Sequence, residues 1–116
     1  FEDDELFLLL DLGHLNISLN DPSWSKINVE NYIISLPLKI VELHIHDNHG
    51  EKDDHLPLGS GTLPLEPMLK ALKRRRFDGI ATVEVMPYMQ PIPLDDPSQI
   101  EKIVHTKQLF SKLLNT

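Results

Sequence analysis

The chain has 116 residues, about one domain, and 41% of them are apolar, as expected for a soluble globular protein. Its formal net charge of −7 argues against nucleic-acid binding, because nucleic-acid-binding proteins usually present a basic face. Cysteine is absent, which excludes disulfides and thiolate metal sites and predicts a cytoplasmic location. No run approaches the roughly 18 apolar residues of a membrane-spanning helix, and the acidic start "FEDDE" is not typical of a signal peptide.

Three short apolar or β-branched runs predict strands over residues 6–11, 39–46 and 79–85. Such runs are typical of strands that are covered on both faces in a parallel sheet. Amphipathic segments predict helices over residues 28–36, 64–76 and 97–114, with polar connections at 18–27, 47–63 and 86–96. The β-α-β-α-β-α order predicts an α/β fold with a parallel sheet.

Side chains that commonly bind metals fall at the ends of all three predicted strands. Asp11 closes the first strand, His44 and His46 close the second, and Glu84 lies near the end of the third. Parallel α/β folds place their chemistry at the carboxyl ends of strands, so a shared site is expected there. Carboxylates and neutral imidazoles together suit a divalent ion such as Zn²⁺ or Mn²⁺.

Each of these residues also has a purely structural interpretation. Asp11 alone is typical of a turn or a helix N-cap, and a single strand histidine such as His44 is often a core residue with a hydrogen-bond partner. Glu84 is harder to explain in this way, because it lies between two valines and burying an unpaired carboxylate costs several kcal/mol. The three positions together favour a common site.

Other polar residues leave two interpretations open. His14 follows Asp11 by three residues and is either a loop histidine, a further ligand or a substrate contact. Asp53 and His55 either chelate a metal from an extended loop or belong to a solvated turn. We interpret His46 and His49 as residues outside the site. The basic run 73–76 either binds phosphate or, as we favour, offsets the dipole at a helix carbonyl end.

Three segments, in order, resemble one known group of proteins. "DLGH" at 11–14, "HIHDNHGEKDDHLPLGSGTLPL" at 44–65 and "FDGIATVEVMP" at 77–87 are similar to the xylose isomerase-like TIM-barrel superfamily. That superfamily contains sugar phosphate isomerases and epimerases, and the endonuclease IV (family 2 apurinic endonuclease) enzymes. The resemblance implies that residues 1–116 are the C-terminal three βα units of a (β/α)8 TIM barrel, which is therefore incomplete in this chain.

The resemblance also implies roles for the residues at the strand ends. Asp11, His44 and Glu84 correspond to the metal ligands of the sixth, seventh and eighth barrel strands. In epimerases the glutamate at the position of Glu84 also acts as a catalytic acid and base. His14 corresponds to a histidine that binds metal in the endonucleases and contacts substrate in the epimerases.

The loop pair Asp53 and His55 corresponds to the "DxH" pair that holds another metal in the endonucleases. Two departures from the endonuclease pattern favour the isomerase branch. "LNISLND" replaces the aromatic and Gly-Tyr-Asp segment that follows the aspartate-histidine motif, and "HLPLGSG" is closer to the isomerase form. The fifth-strand glutamate and the earlier histidine ligands of the family have no counterpart in this chain.

The resemblance implies a metal-dependent sugar or sugar phosphate isomerase or epimerase that uses a divalent metal (Mn, Zn, Mg or Co). Glu84 would transfer a proton next to the carbonyl, together with a glutamate from barrel units outside this chain. Three strands cannot close a barrel, so we expect this fragment alone to be inactive. N-terminal barrel units or a second chain would complete it. Two alternatives remain open: a Zn-dependent apurinic-site endonuclease, and a non-catalytic partial barrel that binds a metal or a partner.

Overall fold

The fold is taken from a computed structural model that describes residues 5–85 and 96–116. The strands are β1 (Leu8–Asp11), β2 (Ile40–Ile45) and β3 (Ile80–Val83). The helices are α1 (Leu12–Leu19), α2 (Val29–Ser35), α3 (Leu65–Arg74) and α4 (Pro97–Leu114), with a 3-10 turn at Pro22–Trp24. Within the described ranges, no helix is long and apolar enough to cross a membrane.

The three strands form one parallel sheet in the order β1-β2-β3. The predicted α/β fold with parallel strands is therefore confirmed, and the sheet is open rather than closed into a barrel. Each predicted strand is present, although β3 is shorter than the segment 79–85. The predicted connection 86–96 lies almost wholly outside the described residues.

The helices pack on one face of the sheet. Leu43 and Ile45 point from β2 into this core and are almost completely buried. Ile33 from α2 and Met68 and Leu72 from α3 are also fully buried in it. Burying a side chain of this size contributes about 1.5–3 kcal/mol. The core therefore holds the central strand firmly, with its other face free to carry the polar residues.

The opposite face of the sheet is partly exposed and includes apolar side chains. Leu9 on β1 is 48% exposed and Ile80 on β3 is 68% exposed. Both pair with Glu42 of the central strand, so the three residues form one row across the sheet. A row of this kind would face the interior in a closed barrel, in line with the expectation of an incomplete one.

Helix α1 was not predicted from the sequence. It begins directly after β1, because the Asp11 side chain accepts a hydrogen bond from the His14 backbone N–H and caps the helix. Leu12 and Leu15 turn inward, and Asn16 is also buried. The segment LGHLNISL mixes leucines with Gly13 and several weaker helix formers, so propensity alone did not identify it. The cap places His14 one turn above Asp11, at the edge where β1 ends.

Arg75 has a structural role in the basic run. Its guanidinium donates hydrogen bonds to the carbonyl oxygens of Ile33, Ile34, Leu36 and Leu38, at 2.6–3.1 Å. These carbonyls lie at the end of α2 and just beyond it, where a helix leaves acceptors unpaired. The arginine at the centre of the run therefore caps a helix and is not free to bind phosphate.

Candidate metal centre

The register of the sheet aligns the candidate ligands in one row. Asp11 pairs with His44, and His44 pairs with Thr82, so these three side chains project from the same face at the same level. Glu84 lies two residues beyond Thr82 and projects from the same face. The carboxyl edge of the sheet therefore receives a carboxylate, an imidazole and a second carboxylate from three successive strands.

The two carboxylate oxygens of Asp11 contact different groups. Oδ1 accepts hydrogen bonds from the His14 backbone N–H at 2.8 Å and from His46 Nε2 at 2.7 Å. Oδ2 lies 3.3 Å from His14 Nδ1 and 3.8 Å from His44 Nδ1. Burial acts to raise the pKa of Asp11, but the hydrogen bonds from His46 and His14 outweigh it and lower the pKa below its ordinary value of 3.8. The group is therefore an anion at neutral pH.

His44 lies among three carboxylates. Its Nδ1 is 3.2 Å from Glu84 Oε1 and 3.8 Å from Asp11 Oδ2, whereas its Nε2 is 3.6 Å from Glu42 Oε1. Glu42 Oε1 in turn accepts a hydrogen bond from the Thr82 hydroxyl at 3.0 Å. A carboxylate on the far side of an imidazole is the usual arrangement that fixes a metal-binding histidine. Glu42 was not identified from the sequence, although its spacing of two from His44 places it on the same face.

The donor set of Asp11, His44 and Glu84 fits a divalent ion. One ligand atom from each residue lies within 4.8 Å of the other two. Two carboxylates and one imidazole, all partly buried, match the oxygen and nitrogen ligands that Mn²⁺, Zn²⁺ and related ions prefer. The structure therefore brings together three of the residues that the sequence proposed as ligands.

His14 and Asp53 approach the same edge from two different segments. His14 Nε2 donates a hydrogen bond to Asp53 Oδ2 at 3.1 Å. This hydrogen bond raises the pKa of His14 above 6.5, despite the opposing effect of burial. For Asp53, burial acts to raise the pKa, but the His14 hydrogen bond and the charge of His55 keep it below 3.8. The pair therefore favours a charged carboxylate beside a histidine that protonates readily.

His55 completes this second group. Its Nδ1 donates to the backbone carbonyl of Glu84 at 2.7 Å, and its Nε2 lies 3.1 Å from Asp53 Oδ1. Its backbone has φ 52°, a left-handed conformation that is uncommon for residues other than glycine. Such conformations persist where the surrounding structure imposes them, and they cluster at functional sites. His55 and Asp53 are thus joined both to the end of β3 and to His14.

Asp47 fixes the loop that carries Asp53 and His55. Its buried carboxylate accepts four backbone N–H hydrogen bonds at 2.8–3.0 Å, which come from Asn48, Gly59, Gly61 and Leu63. Its backbone also pairs with Leu56 in both directions, which closes the intervening segment. Gly59 and Gly61 therefore supply N–H donors to a buried carboxylate.

His46 lies inside the cluster, contrary to the interpretation from the sequence. Its side chain has no exposed area, and its ring stacks on that of His55 with centroids 4.1 Å apart. It belongs to two groups whose ligand atoms are close enough to share an ion, one with Asp11 and His14 and the other with His55 and Glu84. The sequence could have indicated this, because His46 shares the face of His44. His49 is exposed, as expected.

Comparison with known proteins identifies the group to which this arrangement belongs. Residues 1–104 match a family model described as xylose isomerase-like TIM barrel. The chain belongs to the xylose isomerase-like TIM-barrel family. The assignment made from three short segments of the sequence is therefore confirmed.

The relatives of this xylose isomerase-like chain include proteins named as epimerases. An uncharacterized protein of Methanocaldococcus jannaschii is 32% identical over 79 residues, which cover 68% of this chain and 25% of the relative. Fructoselysine 3-epimerase of Shigella flexneri is 34% identical over 58 residues, or 50% of this chain and 21% of the enzyme. The chain thus spans about a quarter or less of the length of these curated relatives.

Two solved structures share the fold. A D-tagatose 3-epimerase-like protein superposes with a TM-score of 0.68 at 24% identity, over 95% of this chain and 35% of that one. A xylose isomerase domain protein from Alicyclobacillus acidocaldarius subsp. acidocaldarius gives 0.61 at 26% identity, over 92% and 36%. The three parallel strands are therefore part of a TIM barrel, and the described chain corresponds to about a third of those structures.

Proposed function

We propose that this chain is the C-terminal part of a metal-dependent sugar or sugar phosphate isomerase or epimerase. The observation that carries the proposal is the convergence of Asp11, His44 and Glu84 from three successive strand ends. Relatives named as epimerases support the reaction class. We also propose that N-terminal barrel units complete the site and that the protein acts in the cytoplasm.

Asp11, His44 and Glu84 would hold the divalent ion. A bound divalent ion supplies Lewis-acid polarisation of a substrate carbonyl oxygen. Asp11 and Glu84 contribute negative charge that suits such an ion, and Glu42 beside His44 Nε2 leaves the Nδ1 atom facing the two carboxylates. Asp11 and His44 lie on strands and Glu84 directly follows β3, which favours a fixed geometry.

Glu84 and His14 would act directly on the substrate. Glu84 follows the last residue of β3 and its carboxylate is partly exposed, so it can exchange a proton with a carbon atom next to the carbonyl. His14 is more than half exposed at the same edge, and its raised pKa favours a cation that donates hydrogen bonds to a substrate hydroxyl or phosphate. A second acid–base group would come from outside this chain.

The proposal is tested on the protein at the full length that its gene encodes. The purified protein is stripped with a chelator, and binding of Mn²⁺, Co²⁺ and Zn²⁺ is measured by titration calorimetry. We expect binding of one ion per barrel, and a loss of at least about tenfold in affinity in His44→Ala. The control is His105→Ala on α4, an exposed histidine far along the chain from the site.

Turnover is then measured without knowledge of the natural substrate. A panel of ketoses, aldoses and their phosphates is incubated in D₂O, and deuterium incorporation next to the carbonyl is followed by mass spectrometry. We expect metal-dependent incorporation into at least one sugar, and a decrease of about 10²–10⁴-fold in Glu84→Gln. Incorporation that persists at the same rate in Glu84→Gln would contradict the assignment of the base.

A second candidate function is a Zn-dependent apurinic-site phosphodiesterase. The observation that favours it is the approach of His14 and His55 to Asp53, each at 3.1 Å, because clustered metals serve such enzymes. The charge of −7 offers little attraction for a nucleic acid. The same titration separates the two candidates, since the phosphodiesterase would bind two or three zinc ions and cleave an abasic oligonucleotide.

A further inference from the structure

His46 is the most completely buried histidine in the cluster, and the proposed mechanism gives it no task. Its side chain has no exposed area, although it lies at the carboxyl edge, one residue beyond β2. Burying a polar ring is unfavourable unless its nitrogens find partners. Among the residues that the structure describes, the ring Nδ1 has no hydrogen-bond partner, whereas Nε2 is 2.7 Å from Asp11 Oδ1. The hydrogen bond between Nε2 and Asp11 therefore fixes the position of the ring.

The contact with Asp11 defines the direction of this hydrogen bond. A carboxylate oxygen only accepts, so Nε2 carries the hydrogen and donates it. Oδ1 therefore has two donors, His46 Nε2 and the His14 backbone N–H, on the side of Asp11 that faces the protein. The other oxygen, Oδ2, lies 3.8 Å from His44 Nδ1. Two donors on one oxygen prevent the carboxylate from rotating and exchanging its oxygens.

Two further contacts hold the ring of His46. It stacks on His55 at 4.1 Å with an angle of 10° between the rings. It also lies against Gly13, where a Cβ atom would overlap with the His46 ring. A glycine inside the short helix α1 is unfavourable for helix formation, so its presence is explained by the space that the ring needs. The ring therefore has little freedom to tilt away from Asp11.

We propose that His46 is a positioning residue that orients the Asp11 carboxylate, so that Oδ2 is directed to the metal ion together with His44 and Glu84. This inference rests on the proposed metal site and adds to it a residue that is not a ligand. Partners of this kind typically change metal affinity by about 10–100-fold when they are removed. His46 would act on the metal site through Asp11, without contact to the substrate.

The first test compares two substitutions that both remove the imidazole ring, of which only one keeps a hydrogen-bond donor. In His46→Gln the side-chain amide can place an N–H close to the position of Nε2, whereas His46→Leu removes the donor. We expect Co²⁺ affinity of the full-length protein to fall about 10–100-fold in His46→Leu and to stay within about threefold of the wild type in His46→Gln. His49→Leu and His49→Gln, in an exposed position of the same loop, are the matched controls and should both be unchanged.

Two further measurements separate orientation from other roles. The visible absorption spectrum of bound Co²⁺ reports the ligand set, so it should be the same in wild type and His46→Gln if His46 is not a ligand. Urea unfolding of the metal-free variants reports any loss of packing. Equal losses of affinity in His46→Leu and His46→Gln would overturn the proposal, because the ring and not its donor would then matter. A changed spectrum in His46→Gln would overturn it in favour of direct ligation.

Gly13→Ala offers a second route if His46→Leu does not fold. The added methyl group must displace the His46 ring while every candidate ligand keeps its identity. We expect weaker Co²⁺ binding with unchanged helical circular dichroism, and unchanged binding would contradict the proposal.

A wild-type protein that binds no divalent ion would overturn both this inference and the proposed function. A protein that binds the ion with the expected pattern but turns over no sugar would overturn the proposed function alone.

Discussion

Replacing Asp47 by asparagine removes a single charge from the buried turn that shapes the loop of Asp53 and His55. Asp47 Oδ1 accepts from the N–H groups of Asn48 and Leu63, and Oδ2 accepts from those of Gly59 and Gly61. An asparagine keeps one accepting oxygen but turns an NH₂ group toward the other two donors. Two N–H groups would therefore lose their acceptor and face another donor.

The magnitude follows from this geometry. A buried donor without a partner costs about 1–3 kcal/mol, and Gly59 and Gly61 are not fully buried, so that water recovers part of the loss. We therefore expect Asp47→Asn to lower the free energy of unfolding by about 2–4 kcal/mol. That is a large fraction of the stability of a typical domain.

Urea unfolding followed by circular dichroism measures this change. Asp54→Asn is the matched control, because it makes the same substitution in the same loop at a side chain that forms no hydrogen bond with any described residue. It should change stability by less than about 0.5 kcal/mol. Amide hydrogen exchange at residues 59 and 61 should also become faster in Asp47→Asn. If both variants are equally stable, the four hydrogen bonds do not hold the loop and the reasoning is refuted.

Two more predictions concern helix ends. Arg75→Lys should destabilise the protein by about 1–2 kcal/mol, because one ammonium group cannot reach four carbonyls as the guanidinium does. Thermal unfolding measures this loss, with Arg76→Lys as the control. Hydrogen bonds from the Ser98 hydroxyl and backbone N–H lower the pKa of Asp96 below 3.8. The Asp96 cap of α4 therefore stabilises the protein above pH 3.8, and this stabilisation is lost as the pH falls through the folded-state pKa. The penalty of Asp96→Ala, measured by urea unfolding across pH, should therefore shrink in acid, and a constant penalty would contradict this.

The parts of the site that lie on strands could be predicted from the sequence, because strand ends follow from hydrophobic pattern. Asp11, His44 and Glu84 each end or follow an apolar run, and parallel pairing then brings them to one edge. The same pattern places His46 on the face of His44, but its burial also involves α1, which begins at the Asp11 cap without a strong helical pattern. The close approach of Asp53 to His14 depends on a loop closed by backbone hydrogen bonds of Asp47, which residue types do not reveal.

The dual role of Asp11 determines which substitution is informative about the metal site. Removing its side chain would eliminate the N-cap of α1, a loss of about 0.5–2 kcal/mol, and would also leave His46 Nε2 without its acceptor inside the protein. Loss of metal binding in such a variant would therefore not separate a missing ligand from a displaced helix. His44 differs, because within residues 5–85 and 96–116 its side chain forms ion pairs with the carboxylates of Asp11, Glu42 and Glu84 and caps no helix. Within the same residues its replacement removes no hydrogen bond to the backbone, so a loss of affinity in His44→Ala is attributable to the ligand itself.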